Sequence, residues 1–339
     1  MNRFSMIGRR LTQAIPSIIG IIIVTFLLTR ALPGDPAVYF AGPAADEQSI
    51  AEVRAALGLD KSLPEQFWLY LGDLARGDLG VSISTGRPVL EELATRLPAS
   101  LELTLVALVF AIGTALPLGI LAATRPNSWI DHLCRVVVTA GVSLPVFFTG
   151  LFFVYIFYYI ADLAPSPLGR IDIYFIAPDH VTGFFLIDSL IAGDLETFRA
   201  ALAQIILPAV SMGVFVLAPL ARMTRASMLQ ALGSDYIRTA QASGLSRSKV
   251  LFAYAFRNAL LPILTTLGMV FSFMLGANVL VEKVFAWPGI GSYAVNALIV
   301  SDFAAVQGFV LSMAILFVVI NLAIDVLYTI VDPRIGMEG

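Results

Sequence analysis

Charge is what this 339-residue sequence has least of: 13% of its residues are Asp, Glu, Lys or Arg, against 58% hydrophobic ones. A soluble domain carries about a quarter charged residues, so this chain lacks the polar surface to face water on all sides. Its apolar surplus must face lipid. Cysteine is limited to Cys134, which excludes an internal disulfide framework and any cysteine-rich metal site. The net charge of −3 gives no reason to expect a nucleic-acid partner. Catalytic signatures are also missing: there is no H-E-x-x-H, no G-x-S-x-G and no G-x-x-x-x-G-K-[ST] phosphate loop. No catalytic residue, no metal site and no cofactor is expected in this chain.

Six charge-free stretches are present, at 11–29, 103–124, 136–161, 200–221, 258–281 and 303–324. Each approaches or exceeds the about 20 apolar residues that carry a helix across the hydrocarbon core. Lipid cannot satisfy backbone N–H and C=O groups, so helix is the expected state of all six. Arg3, Arg9 and Arg10 before the first stretch would suit a signal peptide, but Arg30 and Pro33 stand where small cleavage-site residues belong. With the N-terminus inside, segments 1–10, 125–135, 222–257 and 325–339 hold twelve Lys/Arg and five Asp/Glu. The opposite segments, 30–102, 162–199 and 282–302, hold nine and nineteen. That bias predicts cytoplasmic termini at both ends. The expected architecture is an all-α polytopic membrane protein with six transmembrane helices.

Charge is scarce inside the spans as well. Glu102, Glu282 and Asp325 fall at the ends of apolar stretches, where snorkelling makes a charge cheap. A proton- or sodium-driven carrier usually needs ionisable groups near the bilayer midplane, and none is expected here, so the driving energy must come from a partner. Two outer segments are long. Residues 31–100 include helical stretches at 48–57 and 64–74 and are expected to form a small cap. Residues 162–199 contain an apolar patch, 181–191, interrupted by Asp188 and too short to span. Pro117, Pro145, Pro208, Pro219 and Pro262 lie inside the spans, either as packing kinks or as bending points.

The most informative stretch is SDYIRTAQASGLSRSKVLFAYAFRNALLPILT, residues 234–265. Ser234 or Asp235 can cap a short helix, and Gly244 suits the left-handed residue that ends one. Ser246 then caps a second helix leading into the fifth span. The result is a basic elbow on the cytoplasmic side, and a helix this short needs something to dock on. An ordinary basic loop that fixes topology would read similarly.

This stretch resembles the EAA loop of binding-protein-dependent ABC importer permeases, the element that inserts into a groove of the ATPase. Arg238-Thr239-Ala240 stands at the Glu-Ala-Ala position and Gly244 at the motif's glycine. Tyr254-Ala255-Phe256-Arg257 replaces the general Ile-x-Leu-Pro ending. Both departures are similar to the dipeptide and oligopeptide branch, although Ser243 replaces a lysine common there. RRLTQAIPSIIGIIIVTFLLTRALPGDPA, LGLDKSLPEQFWLYL, GDLGVSI, LVEKVFAWPGIGSY and VDPRIG resemble that branch in order along nearly the whole chain. VTGFFLIDSLIAGD and RMTRASML look closest to its dipeptide permease subunit.

The resemblance implies a type I importer permease fold: residues 1–30 with the first span, a periplasmic segment at 31–100, and a five-helix core at 101–331. The core would carry a coupling loop at 223–257 and a periplasmic loop at 162–199, followed by a tail at 332–339. It implies a second permease subunit, two cytoplasmic ATPase subunits that bind ATP and Mg, and a periplasmic solute-binding protein. Coupling would fall to Asp235, Tyr236, Arg238, Thr239, Ala240, Ala242, Ser243, Gly244, Arg247 and Lys249. A translocation pathway shared with the second permease would be lined by Ser143, Thr149, Ser211, Ser272 and Asn278, although hydroxyls also serve as ordinary helix–helix glue. The turn Trp287-Pro288-Gly289-Ile290-Gly291 would shape the outer mouth or act as a tight interfacial turn. Expected cargo is a dipeptide or short peptide. Nickel, glutathione or another peptide-like solute fits the same architecture, and an ATPase-independent channel or signalling subunit is the rival of a different class.

Overall fold

The computed structural model describes residues 3–31, 35–42 and 44–331. The chain opens with α1 (Arg3–Ala31), then builds a cap from α2 (Pro36–Ala41), α3 (Glu47–Ala56) and α4 (Leu63–Ala75). Their starts are encoded locally. Asp35 accepts the Ala37 N–H, Asp46 accepts the Ser49 N–H, and Ser62 forms a capping box with Glu65. An ion pair between Asp35 and Arg54 joins α2 to α3. Phe26 of α1 meets Phe67 edge-on at 5.2 Å and stacks on Tyr70 at 5.8 Å, which fixes α4 against the first helix. The expected cap helices at 48–57 and 64–74 are α3 and α4, displaced by one residue at each end.

Then follow α5 (Val89–Thr124), α6 (Trp129–Ser143) and α7 (Val146–Phe153), the last continuing as π-helical turns over Val154–Ile160. After α8 (Phe185–Ile191) comes the central helix α9 (Leu195–Leu232), which packs against α5, α6, α7, α8 and the later α12. The chain then turns through α10 (Asp235–Ala242) and α11 (Arg247–Lys249), with π-helical turns over Val250–Phe256. It ends in α12 (Arg257–Val284), α13 (Ile290–Ile299) and α14 (Phe303–Val331). Among the described residues the only β pairing is an isolated bridge between Val81 and Pro88.

Small residues bring the two longest helices together. Ala107, Ala111, Ala115 and Gly119 recur every fourth position on α5, which sets them on one helix face. There they meet α9 so closely that a Cβ on Gly213 would strike Phe110, and one on Gly119 would lie 2.6 Å from Thr224. In lipid, where helices gain nothing by hiding from water, this close approach is what drives association. Large apolar side chains such as Val24, Leu28, Val109, Phe273 and Val319 are turned outward.

Four helices among the described residues are long and apolar enough to cross a membrane: Val89–Thr124, Leu195–Leu232, Arg247–Val284 and Phe303–Tyr328. The expected span at 136–161, with Pro145 as a kink or bending point, is broken outright. Its two halves meet at Leu144–Pro145 with a bend of 101°, and a fifth span results if the pair counts as one. Pro145 cannot donate a backbone hydrogen bond and disfavours helix in the residue before it, which accounts for the break. Pro117, Pro208, Pro219 and Pro262 lie within continuous helices. The apolar part of α1 described in full, Ile15–Arg30, is shorter than a span. The tail at 332–339 lies outside the described residues.

The candidate coupling elbow and the opposite mouth

The elbow is built as its residues dictate. Ser234 takes the N-cap position of α10, Gly244 adopts φ +76° after its last turn, and Ser246 begins the next helix. Only glycine reaches that left-handed conformation without strain. Ile237 and Ala240 face inward, buried against Met228, Ala231, Val250 and Ala255. Asp235, Tyr236, Arg238, Thr239, Ala242, Ser243, Gly244, Arg247 and Lys249 are all exposed. Nine of the ten expected coupling residues are therefore exposed, and Ala240 is not: it is buried in the elbow's anchor. A Cβ on Gly244 would meet nothing within 4 Å in this chain. A cleft of about 410 Å³ runs beside the elbow, lined by Thr124, Leu232, Gln241 and Arg247 among others.

The elbow's base is clamped by a cluster that the local sequence does not announce. Asp131 is fully buried and accepts from Arg225 Nε at 2.6 Å and Nη2 at 2.8 Å, from Arg135 at 3.3 Å and from the Asn127 N–H at 3.0 Å. This ties the turn after α5 to the last turns of α9, on which α10 sits. A two-pronged guanidinium–carboxylate contact holds direction as well as distance.

At the other end of the bundle the polar groups are buried. Glu102, expected near a span end in cheap contact with solvent, instead lies well inside α5 and pairs with Arg170 at 2.5 Å. Its other oxygen accepts the Leu186 N–H at 2.8 Å and so caps α8. Arg170 also donates to Gly183 O at 2.7 Å and stacks on Phe185 at 3.6 Å. Glu282 is likewise withdrawn from solvent. It accepts from Ser100 Oγ at 2.5 Å and from the Ser292 N–H at 2.7 Å, while Ser100 Oγ accepts the Ile290 N–H at 2.9 Å. A Cβ on Gly289 would run into the Glu282 carboxylate, which explains a glycine there. Trp287 is buried, and its indole N–H donates to Ala99 O at 2.9 Å.

Asp188, read as an interruption of an apolar patch, organises it. It accepts N–H bonds from Val181, Thr182 and Gly183 and an O–H bond from Thr182 at 2.6 Å. Burial alone would push this carboxyl up, but the donors from Thr182, Gly183 and Val181 outweigh it and hold the group below the usual carboxylate range.

The five expected pathway residues are not brought to one surface. Thr149, Ser211 and Asn278 are buried inside the chain, and Ser211 is 0% exposed. Ser143, Thr149, Ser211 and Ser272 each bond the carbonyl four residues earlier in their own helix, and Asn278 donates to Ser100 O. That is the ordinary way a membrane helix satisfies a hydroxyl. Ser143 is exposed and Ser272 half-buried, so only these two can face a neighbour. Sequence reasoning missed Arg170, Arg225 and Asp131, whose partners lie 68 to 94 residues away.

Long apolar helices packed through small residues, with a folded cap at one end and a projecting elbow at the other, define a multi-pass membrane component. The chain belongs to the binding-protein-dependent transport system inner membrane components: residues 115–337 match that family and residues 1–104 match its N-terminal part. It is 43% identical to the probable D,D-dipeptide transport system permease protein of Escherichia coli over all of this chain and 99% of that one. It is 42% identical to the di/tripeptide transport system permease protein of Pseudomonas aeruginosa, covering 98% of each chain. With the glutathione transport system permease protein of Shigella flexneri it shares 37% identity over 96% of this chain and 97% of that one. It is thus a multi-pass protein of the bacterial inner membrane and a transport permease.

Proposed function

We propose that this chain is one permease subunit of an ATP-driven importer, forming half of the pathway for dipeptides and short peptides. The observation that carries the reading is the elbow: a short helix anchored by Ile237 and Ala240, with nine exposed residues around the open space at Gly244. A helix of eight residues does not persist in water without support, so the exposed face is suited to a partner groove. The partner is a cytoplasmic ATPase, one of two that bind ATP and Mg. Arg238, Arg247 and Lys249 meet acidic groups on its rim, and Ala242, Ser243 and Gly244 permit close approach.

This reading sets both termini and the elbow in the cytosol and the cap in the periplasm, facing a solute-binding protein. It also counts α1 and the bent α6–α7 pair as spans, six in all, with the segment boundaries expected from sequence. A related second permease completes the pathway, with Ser143 and Ser272 the residues of the expected set able to face it. The cargo follows the relatives, whose named solutes are D,D-dipeptides, di- and tripeptides and glutathione, all peptides. The test is uptake of labelled dipeptide, glutathione and nickel in cells with and without the gene. Loss of dipeptide uptake, restored by the gene, is the expected result. Loss confined to glutathione moves the cargo to a modified tripeptide, and loss confined to nickel rejects the peptide assignment.

A further inference from the structure

A second cleft, of about 410 Å³, lies between the cap and the start of α14. That is the size of a small-molecule site. Its walls are apolar, from Phe40, Leu57, Leu69 and Phe303, yet it also contains one guanidinium and two carboxylates. Arg30, in the last turn of α1, donates its Nε to Gln66 Oε1 at 2.8 Å and lies over the Phe26 ring at 5.0 Å. Gln66 is itself fixed by donating to Lys61 O at 2.9 Å and Leu59 O at 3.3 Å. The guanidinium is therefore held in place from behind, and among the described residues no carboxylate lies within 4.0 Å of it. Such an arginine, oriented but without a counter-charge, is suited to recognise an anionic group supplied from outside.

The same cleft is lined by Asp73 and Asp78. Asp73 makes only a 3.4 Å surface pair with Arg76, and Asp78 accepts the Gly80 N–H at 2.8 Å. A simple anion entering here would meet two carboxylates, and a simple cation would meet Arg30. We propose that this cleft binds a small zwitterion, with its anionic end on Arg30 and its ammonium on Asp73 and Asp78. Tyr70 adds a neutral donor beside Arg30, because burial pushes its phenol up to about 12. Two molecules share that chemistry: a free peptide, with carboxylate and amine at its ends, and the phosphate–ammonium headgroup of phosphatidylethanolamine. The choice of a dipeptide as probe rests on the importer reading, but the site's charge pattern does not.

The test uses the purified permease–ATPase complex without its binding protein, in phosphatidylglycerol nanodiscs, titrated with L-alanyl-L-phenylalanine and followed by thermal shift. A saturable shift is expected, weakened about tenfold or more in Arg30→Gln. N-acetylated Ala-Phe, which lacks the ammonium, should bind the wild type more weakly by a similar factor. The Asp73→Asn/Asp78→Asn double variant should bind the free and acetylated forms alike. In a parallel arm, nanodiscs containing phosphatidylethanolamine are examined by native mass spectrometry. Retention of that lipid by the wild type and its loss from Arg30→Gln identifies the headgroup as the occupant. Binding of both probes that is equal in wild type and Arg30→Gln overturns the proposal. Should Arg30→Gln unfold the cap, undiminished discrimination against the acetylated peptide in the exposed aspartate double variant overturns it instead. Failure of this site would leave cellular uptake of labelled dipeptide intact, so it is distinguishable from failure of the importer reading.

Discussion

At the cap end, Glu102, Arg170, Asp188 and Glu282 are buried, and their hydrogen-bonding capacity is used almost wholly within the chain. At the elbow end, the charges of Asp235, Arg238, Arg247 and Lys249 stand open, and the contact among them is a 3.3 Å pair between Asp235 and Arg238 at the surface. Buried ionic groups tolerate one arrangement only, because losing a partner leaves an uncompensated charge. Exposed ones cost little in any arrangement and remain available. The contrast teaches that the mouth is fixed by its own chain, whereas the elbow leaves its charges free for the proposed partner. Between them, Asp131 and Arg225 tie the start of α6 to α9, the helix that leads into the elbow.

The sharpest way to break the comparison is to remove one buried partner. Glu102→Ala should cost about 3–5 kcal/mol by stranding Arg170. Much of that should return in Glu102→Met/Arg170→Met. Thermal unfolding of the purified complex measures both; a Glu102→Ala protein as stable as wild type would mean that the mouth is not locked.

Next is Gly291→Ala, whose Cβ would sit 2.8 Å from the Val279 Cα. Backbone cannot yield as a side chain can, so about 1–3 kcal/mol of destabilisation is expected by the same measurement.

Asp188 gives a pH-dependent version of the test. Its folded value lies below the ordinary carboxylate range, so its contribution is complete above the unfolded value and is lost as pH falls through the lowered one. Acidification from neutrality should therefore destabilise the wild type more steeply than Asp188→Asn, which carries no such titration. Parallel stability curves for the two would contradict the hydrogen-bonding account.

The smallest effects on stability belong to the elbow. Arg238→Glu and Lys249→Glu should change stability by no more than about 0.5 kcal/mol, since both side chains are exposed. Uptake should nevertheless fall in both. A large loss of stability with these variants would erase the distinction between the two ends.

The elbow was legible in the sequence because its signals are local: Ser234, Gly244 and Ser246 lie within 13 consecutive residues and act on their own backbone. The cap helices were legible as stretches at 48–57 and 64–74, and their starts are local too, set by Asp46 and the Ser62–Glu65 box. The mouth was not. Glu282 and Ser100 are 182 positions apart, and Glu102 and Arg170 are 68 apart. A glutamate at the edge of an apolar stretch looks the same whether it reaches solvent or a buried arginine. The apolar stretches also underestimated helix length, because α5 and α9 carry charged turns beyond their hydrophobic parts. Pro145 was legible as a kink, but equally apolar flanks did not distinguish its 101° break from the continuous helices at Pro117, Pro208, Pro219 and Pro262. The pathway residues were no more legible, for the same kind of reason: a serine that bonds its own helix and one that lines a passage have the same letter.

The measurement that tests the central claim most directly compares Gly244→Ala with Gly244→Trp in cells, at equal amounts of membrane-inserted protein. Both carry the strain of a left-handed residue, about 1–3 kcal/mol, and this chain places nothing within 4 Å of a Cβ there. If the elbow seats in a partner groove, Gly244→Ala retains most of the labelled-dipeptide uptake and Gly244→Trp loses it. Uptake by Gly244→Trp equal to that of Gly244→Ala would contradict the account, because nothing would then lie against the open face of the elbow.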